Sequence, residues 1–191
     1  LNARRHGRIA LLVMPDYAEA YNNLGNGLTD SGYYFQASKE FKRAILLYPT
    51  YANAIFNLAN SYRSLENYES AISLYKTTIQ LDPYFFNARA NLGAALISNR
   101  LYTDSIKRLA ECILLKPNFA DAYSNLGVAL NELGQHETSI GWFRKALNLE
   151  PDFDQVWTNL YFPLAILRQK KVGDILGKNL TNGNGNDYHR L

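Results

Sequence analysis

Pro117-Asn118-Phe119-Ala120-Asp121-Ala122-Tyr123-Ser124-Asn125-Leu126-Gly127 is the stretch whose reading decides the fold. Closely similar blocks follow Pro15, Pro49, Pro83 and Pro151, and they close on Asn23-Leu24-Gly25, Asn57-Leu58-Ala59, Asn91-Leu92-Gly93 and Asn159-Leu160. The five prolines are each 34 residues apart. A spacing kept four times without an insertion marks a repeat array, in which every unit is one small element that buries its apolar face on its neighbours.

Each unit can be numbered from the third residue after its proline, so that Ala18, Ala52, Phe86, Ala120 and Asp154 hold position 1. Apolar or small residues then fall at positions 4, 7, 8 and 11, as in Tyr123, Leu126, Gly127 and Leu130, one face of a 3.6-residue helix. A second set at 20, 24, 27, 28 and 30 (Ala37, Phe41, Ala44, Ile45, Leu47) predicts a second helix. Gly32 and Gly134 mark the turn between the two, where Glu66 and Arg100 stand in the second and third units. The next proline ends the second helix, because it lacks an N–H and clashes with the preceding turn. Small residues at position 8 (Gly25, Ala59, Gly93, Gly127) let the two helices close, while Leu92, Leu96 and Leu109 at positions 7, 11 and 24 fill the layer. Cys112 at position 27 belongs to that core, which makes it a packing residue and not a reactive thiol.

The expected fold is therefore all-α, built from antiparallel helix pairs over 15–51, 52–85, 86–119 and 120–153. Ala3, Ala10 and Leu11 sit where the second helix of a preceding unit carries such residues, so 1–14 reads as half a repeat. Trp157 and Leu160 open a fifth first helix, but Tyr161 replaces the small residue of position 8 and Pro163 interrupts position 10. A partial repeat with a capping helix over Leu164 to Lys171 is predicted for 154–171, and a tail or linker for 172–191, where Asn and Gly accumulate.

Composition narrows the function classes. The chain carries a net charge of +3 over 191 residues. The four full units sum in turn to 0, −1, +3 and −3, which gives no continuous basic track and argues against a nucleic-acid partner. One cysteine rules out an intramolecular disulfide. No apolar run approaches the roughly 20 residues a membrane span needs, so no membrane association is expected and an intracellular, cytoplasmic or nuclear, setting is. His6, His136 and His189 form no metal-ligand spacing, and neither a phosphate loop nor a nucleophile motif occurs. No catalysis, metal or cofactor is expected of this chain. His136 takes the place of Tyr34, Tyr68 and Tyr102 and reads as a turn-packing residue.

The pattern resembles the tetratricopeptide repeat, whose signature runs from an aromatic through Leu-Gly and Tyr to Ala, an aromatic and Pro across 34 residues. Tyr21, Leu24, Gly25, Ala37, Phe41, Ala44 and Pro49 carry it in the first unit; Tyr123, Leu126, Gly127, Phe143, Ala146 and Pro151 carry it in the fourth. The resemblance implies a right-handed superhelical solenoid whose first helices line a concave groove.

Position 6 is asparagine in all five units: Asn23, Asn57, Asn91, Asn125 and Asn159. Asparagine costs roughly half a kcal/mol against alanine inside a helix, so an interaction must compensate it each time. One reading is a hydrogen bond to a neighbouring helix. The other is a ladder facing the groove, since a primary amide offers donors and an acceptor that match an extended peptide backbone. The Asn-Leu-Gly blocks are similar to those of O-linked N-acetylglucosamine transferase tetratricopeptide domains, and that resemblance implies the ladder. Asn53, Asn87 and Asp121 at position 2 and Asn26 and Asn60 at position 9 complete the expected site. Asn87 and Asn91 stand where a cationic clamp for a terminal carboxylate would be needed, which argues against that ligand. Arg89 departs from the bulky residues of position 4; its stem is expected to cover apolar surface and its head to reach water or a carboxylate.

The functional expectation is a protein-protein interaction module for extended peptide segments. The alternative is the substrate-recruiting region of a glycosyltransferase or other modifying enzyme. Self-association through the repeat ends is a further expected partner mode.

Overall fold

The computed structural model describes residues 17–183, the side chains of 173 and 175–183 excepted. Helices α1 (Ala18–Thr29), α2 (Tyr34–Leu47), α3 (Ala52–Ser64), α4 (Tyr68–Leu81), α5 (Phe86–Ser98) and α6 (Tyr102–Leu115) belong to one compact unit, Leu1–Pro117. Helices α7 (Ala120–Glu132), α8 (His136–Leu149) and α9 (Asp154–Gly183) belong to a second, Asn118–Leu191. The half-repeat expected over 1–14 lies outside the described residues.

Within the first unit each helix packs on the next in sequence, and the first helices α1, α3 and α5 also touch in order. This follows from the amphipathic pattern: Leu24, Leu28, Phe41 and Leu58 form one buried layer, and Tyr75, Leu92 and Leu96 belong to the next. Glycine at position 8 is what allows the close approach. A Cβ built on Gly25 would lie 2.5 Å from the Phe41 ring, and one on Gly93 would lie 2.5 Å from Leu109. No such separation is possible between real atoms, so the large residue of position 24 fills the space that a side chain at position 8 would take. Cys112 is fully buried, as its register requires.

The turns inside the pairs share one device. The N–H of Tyr33 bonds to the carbonyl of Leu28, Asn67 to Tyr62, Leu101 to Leu96, and Gln135 to Leu130, at 2.8 to 2.9 Å. Each bond spans five residues and satisfies a helix-end carbonyl, provided that the residue before the donor adopts a left-handed conformation. Gly32 and Gly134 do so at φ 77° and 75°. Glu66 and Arg100 do the same at 59° and 60°, without glycine's freedom.

In the second unit α7 and α8 pair, and α9 packs on both. Phe143 stands against Gly127, whose Cβ would lie 2.6 Å from the ring. The sequence reading of the C-terminal part needs revision here. Pro163 does not interrupt the chain: α9 is one helix of 30 residues with Pro163 inside it. The proline forfeits a backbone hydrogen bond, but its ring is fully buried, and the helix continues past it. Residues 172–183, expected to be a tail or linker, form the last turns of α9, and 184–191 lie outside the described residues.

An aromatic residue immediately precedes every first helix: Tyr17, Tyr51, Phe85, Phe119 and Phe153. Phe85 packs against Phe56 with ring centroids 4.8 Å apart, and Phe153 packs against the core of the second unit. The 34-residue spacing contained this signal too, one place ahead of position 1.

Candidate functional site, an amide relay on the first helices

The position-6 asparagines of the first unit reach back to the repeat before them. Asn57 Nδ2 donates to Asn26 Oδ1 and to Asn22 Oδ1, both at 3.0 Å. Asn91 Nδ2 donates to Asn60 Oδ1 at 2.9 Å. Position 6 of one repeat thus meets position 9 of its predecessor twice, along α1, α3 and α5. A helix places positions 6 and 9 on the same face, so one first helix offers both a receiving and a donating amide.

The Asn60 oxygen accepts a second hydrogen bond, from the Tyr75 hydroxyl at 2.6 Å. Tyr75 is fully buried, so that hydroxyl needs a partner, and Asn60 supplies it. Burial raises the Tyr75 phenol above its ordinary value, while the Arg63 and Asn91 side chains beside it oppose the rise. Arg63 occupies the last turn of α3, and its Nε is buried without a hydrogen-bond partner among the described residues.

The expected site residues separate into classes. Asn26, Asn57, Asn60 and Asn91 come together through hydrogen bonds and are half-buried. Asn23, Asn53 and Asn87 are exposed, as is Asp121 in the second unit. Asn125 is half-buried. Asn159 accepts from Gln155 Nε2 at 3.1 Å and borders a cavity of about 290 Å³ with Val128, Asn131, Thr158 and Phe162. His136 packs at the turn as expected. Its Nδ1 lies 2.8 Å from Asn131 Oδ1, and its ring meets Phe162 edge-on at 6.2 Å.

Sequence reading missed three members of the relay. Asn22 is buried and shares the Asn57 N–H; its signal was a second asparagine beside Asn23. Tyr75 was visible only as the core residue of position 24. Arg63 was visible only as one cation on α3. The Arg89 expectation also needs correction: its head reaches neither water alone nor a carboxylate. Nε and Nη2 both donate to the Pro83 carbonyl, at 2.9 and 2.8 Å.

Among the described residues no group of His, Cys, Asp and Glu could hold a metal ion, and no helix is long and apolar enough to cross a membrane.

Residues 52–85 and 120–153 match one model of the tetratricopeptide repeat and residues 18–51 match a second, together more than half of the chain. Among solved structures, a MamA protein is 25% identical, with a TM-score of 0.68 over 80% of this chain and 84% of that one. Pseudomonas aeruginosa pilF is 22% identical, with a TM-score of 0.70 over 89% and 78%. YrrB, a tetratricopeptide protein with an unusual peptide-binding site, is 18% identical, with a TM-score of 0.65 over 85% and 84%. The latter two likenesses concern the fold alone. No protein of curated function matches the chain. With its period, its paired helices and these matches, the chain belongs to the tetratricopeptide-repeat family.

Proposed function

We propose that this protein is a peptide-binding interaction module, in which the relay face of α1, α3 and α5 receives an extended polypeptide. The observation that carries the reading is the bond from Asn91 to Asn60, repeated from Asn57 to Asn26. Each amide is held by the repeat before it, so it is oriented before a ligand arrives and loses little freedom on binding. Its remaining donor and acceptor capacity suits the N–H and C=O groups of a backbone in extended form. Asn23, Asn53 and Asn87, exposed on the same helices, add amides within reach of a longer segment. In the second unit Asp121, Asn125 and Asn159 hold the corresponding positions, with Val128 and Phe162 offering apolar contact. YrrB, similar in fold, has a peptide-binding site, which agrees with this reading.

Recognition of the backbone is tolerant of side chains, and this makes the test specific. Labelled unstructured peptides and their N-methylated counterparts are titrated against the wild type and the Asn57→Ala/Asn91→Ala protein by fluorescence anisotropy. The expected result is binding that survives scrambling of the peptide, weakens at least tenfold on N-methylation, and weakens likewise in the variant. A folded variant that binds as the wild type does overturns the reading.

A second reading concerns α9. Trp157, Tyr161 and Leu164, spaced four and three residues apart, lie along one side of this helix and are exposed, Tyr161 by 77%. Such an apolar strip favours association, and we propose self-association through it, which light scattering over a concentration series tests. A concentration-independent monomer removes it. Substrate recruitment for a glycosyltransferase on a longer chain remains a proposal that uses the same relay face; the sequence of the parent reading frame decides it.

A further inference from the structure

Positions 4 and 23 of the fourth repeat meet across the helix pair, and the same two places can be compared in the other repeats. In the second repeat they are the apolar Ile55 and Leu74. In the fourth they are Tyr123 and Trp142, whose rings stack with centroids 5.8 Å apart. In the third they are Arg89 and Arg108, two cations, where the first repeat has Tyr21 and the carboxylate of Glu40. Both arginines line a cavity of about 210 Å³ bordered by α4, α5 and α6. Lys76 of α4 joins the two arginines on its wall, Ile79 and Leu92 supply apolar surface, and Glu111 is the sole carboxylate among its lining residues.

The charges are poorly compensated. Arg108 pairs with Glu111 at 3.0 Å, but both side chains are well exposed, and such a pair contributes little. Arg89 is half-buried and pinned by its two bonds to the Pro83 carbonyl, an acceptor without net charge. Lys76 has no carboxylate partner among the described residues. Three cations therefore converge on one volume that holds a single anion. Two guanidinium groups and an ammonium beside a small cavity match the oxygens of a phosphoryl group, which takes planar, paired donors well.

We propose that this cavity binds a phosphoryl oxyanion, as free phosphate or as the head of a phosphate monoester whose carbon portion rests on Ile79 and Leu92. Arg89, Arg108 and Lys76 hold the oxygens. The site shares no residue with the asparagine relay, so it stands or falls apart from the peptide reading.

The decisive variant is Arg89→Trp. At position 4 of the fifth repeat Trp157 Nε1 donates to the Pro151 carbonyl at 2.9 Å, the same bond that Arg89 makes to Pro83. Tryptophan therefore keeps that bond, fills the cavity and removes a cation. Inorganic phosphate, phenyl phosphate and acetate are titrated by calorimetry at constant ionic strength, with thermal melts recorded alongside. Saturable binding of phosphate or phenyl phosphate is expected in the wild type, at least tenfold weaker in Arg89→Trp and several-fold weaker in Lys76→Gln, with none for acetate. Tighter binding of phenyl phosphate assigns the monoester as the source; equal binding assigns the free ion. If Arg89→Trp fails to fold, Arg108→Leu, which restores the residue of the second repeat, takes its place with the same expectation. Absence of saturable phosphate binding in the wild type, or equal affinity in the folded variant, overturns the proposal.

Discussion

Tyr75 and Asn60 are joined by a 2.6 Å hydrogen bond that ties the fully buried aromatic of one repeat's second helix to the amide relay on its first. Asn60→Ala leaves the buried hydroxyl without its acceptor. A loss of about 1 to 3 kcal/mol is expected in urea unfolding, the usual penalty for an orphaned buried group. Adding Tyr75→Phe removes the orphan, so the double variant should lose less than the sum of the two single ones. Additive losses would show that the two residues do not act together.

The left-handed residues of the turns offer a gain. Glu66 and Arg100 hold φ near 60° where the first and fourth repeats use glycine. A left-handed residue other than glycine costs about 1 to 2 kcal/mol, and glycine returns part of that through its freer unfolded chain. Glu66→Gly and Arg100→Gly are each expected to stabilise by about 0.5 to 1 kcal/mol, and to add when combined. Thermal melts check this; Gly32→Ala, a substitution in the opposite sense, should destabilise.

Alkaline pH should weaken the fold through Tyr75. Its phenol is raised by burial above the ordinary tyrosine value of 10.0. Below that value the group is protonated in both states and stability does not depend on it. Above it the unfolded chain ionises first, so stability falls as pH rises toward the folded value. Tyr51, raised mainly by burial, and Tyr17, raised mainly by its bond to Glu19, act in the same direction. The measurement is therefore a difference: Tyr75→Phe should show a shallower loss of stability than the wild type above pH 10.0, and the same pH dependence below it.

Gly127→Ala tests the packing rule of the pairs. The added carbon would meet the Phe143 ring at 2.6 Å, and that ring is fully buried and has little room to yield. Overpacking of this kind costs about 1 to 3 kcal/mol. Thermal melts check this, and adding Phe143→Leu is not expected to relieve the loss, since a Cβ on Gly93 would meet Leu109 just as closely, at 2.5 Å.

The repeat was legible because its signal was covalent spacing: Pro49, Gly93 and Leu126 each recur at a fixed interval, and steric fit leaves few alternatives at those places. The two sides of the asparagine question were legible as well, and the structure supplies the bonds from Asn57 and Asn91 to the preceding repeat. Their partners were harder to see. Which carbonyl Asn57 chooses depends on the rotation of one helix against another, a property of two repeats together. Pro163 shows a different limit. Local propensity places a break there, but burial of its ring decides otherwise, and nothing in the neighbouring residues announces that burial. Arg89 was expected to lay its stem on apolar surface and reach water or a carboxylate; the carbonyl that it grips instead lies six residues back.

The bonds of the relay join residues 31 or 35 apart, each rung to the one just before it. Excising residues 52–85 as a block would set Asn91 where Asn57 stands, with Asn26 still waiting as acceptor. The face would then be one rung shorter and otherwise unchanged in kind. Length along this surface is therefore a quantity that duplication or deletion of a cassette can adjust without redesign, and a ligand's span can be matched by counting repeats.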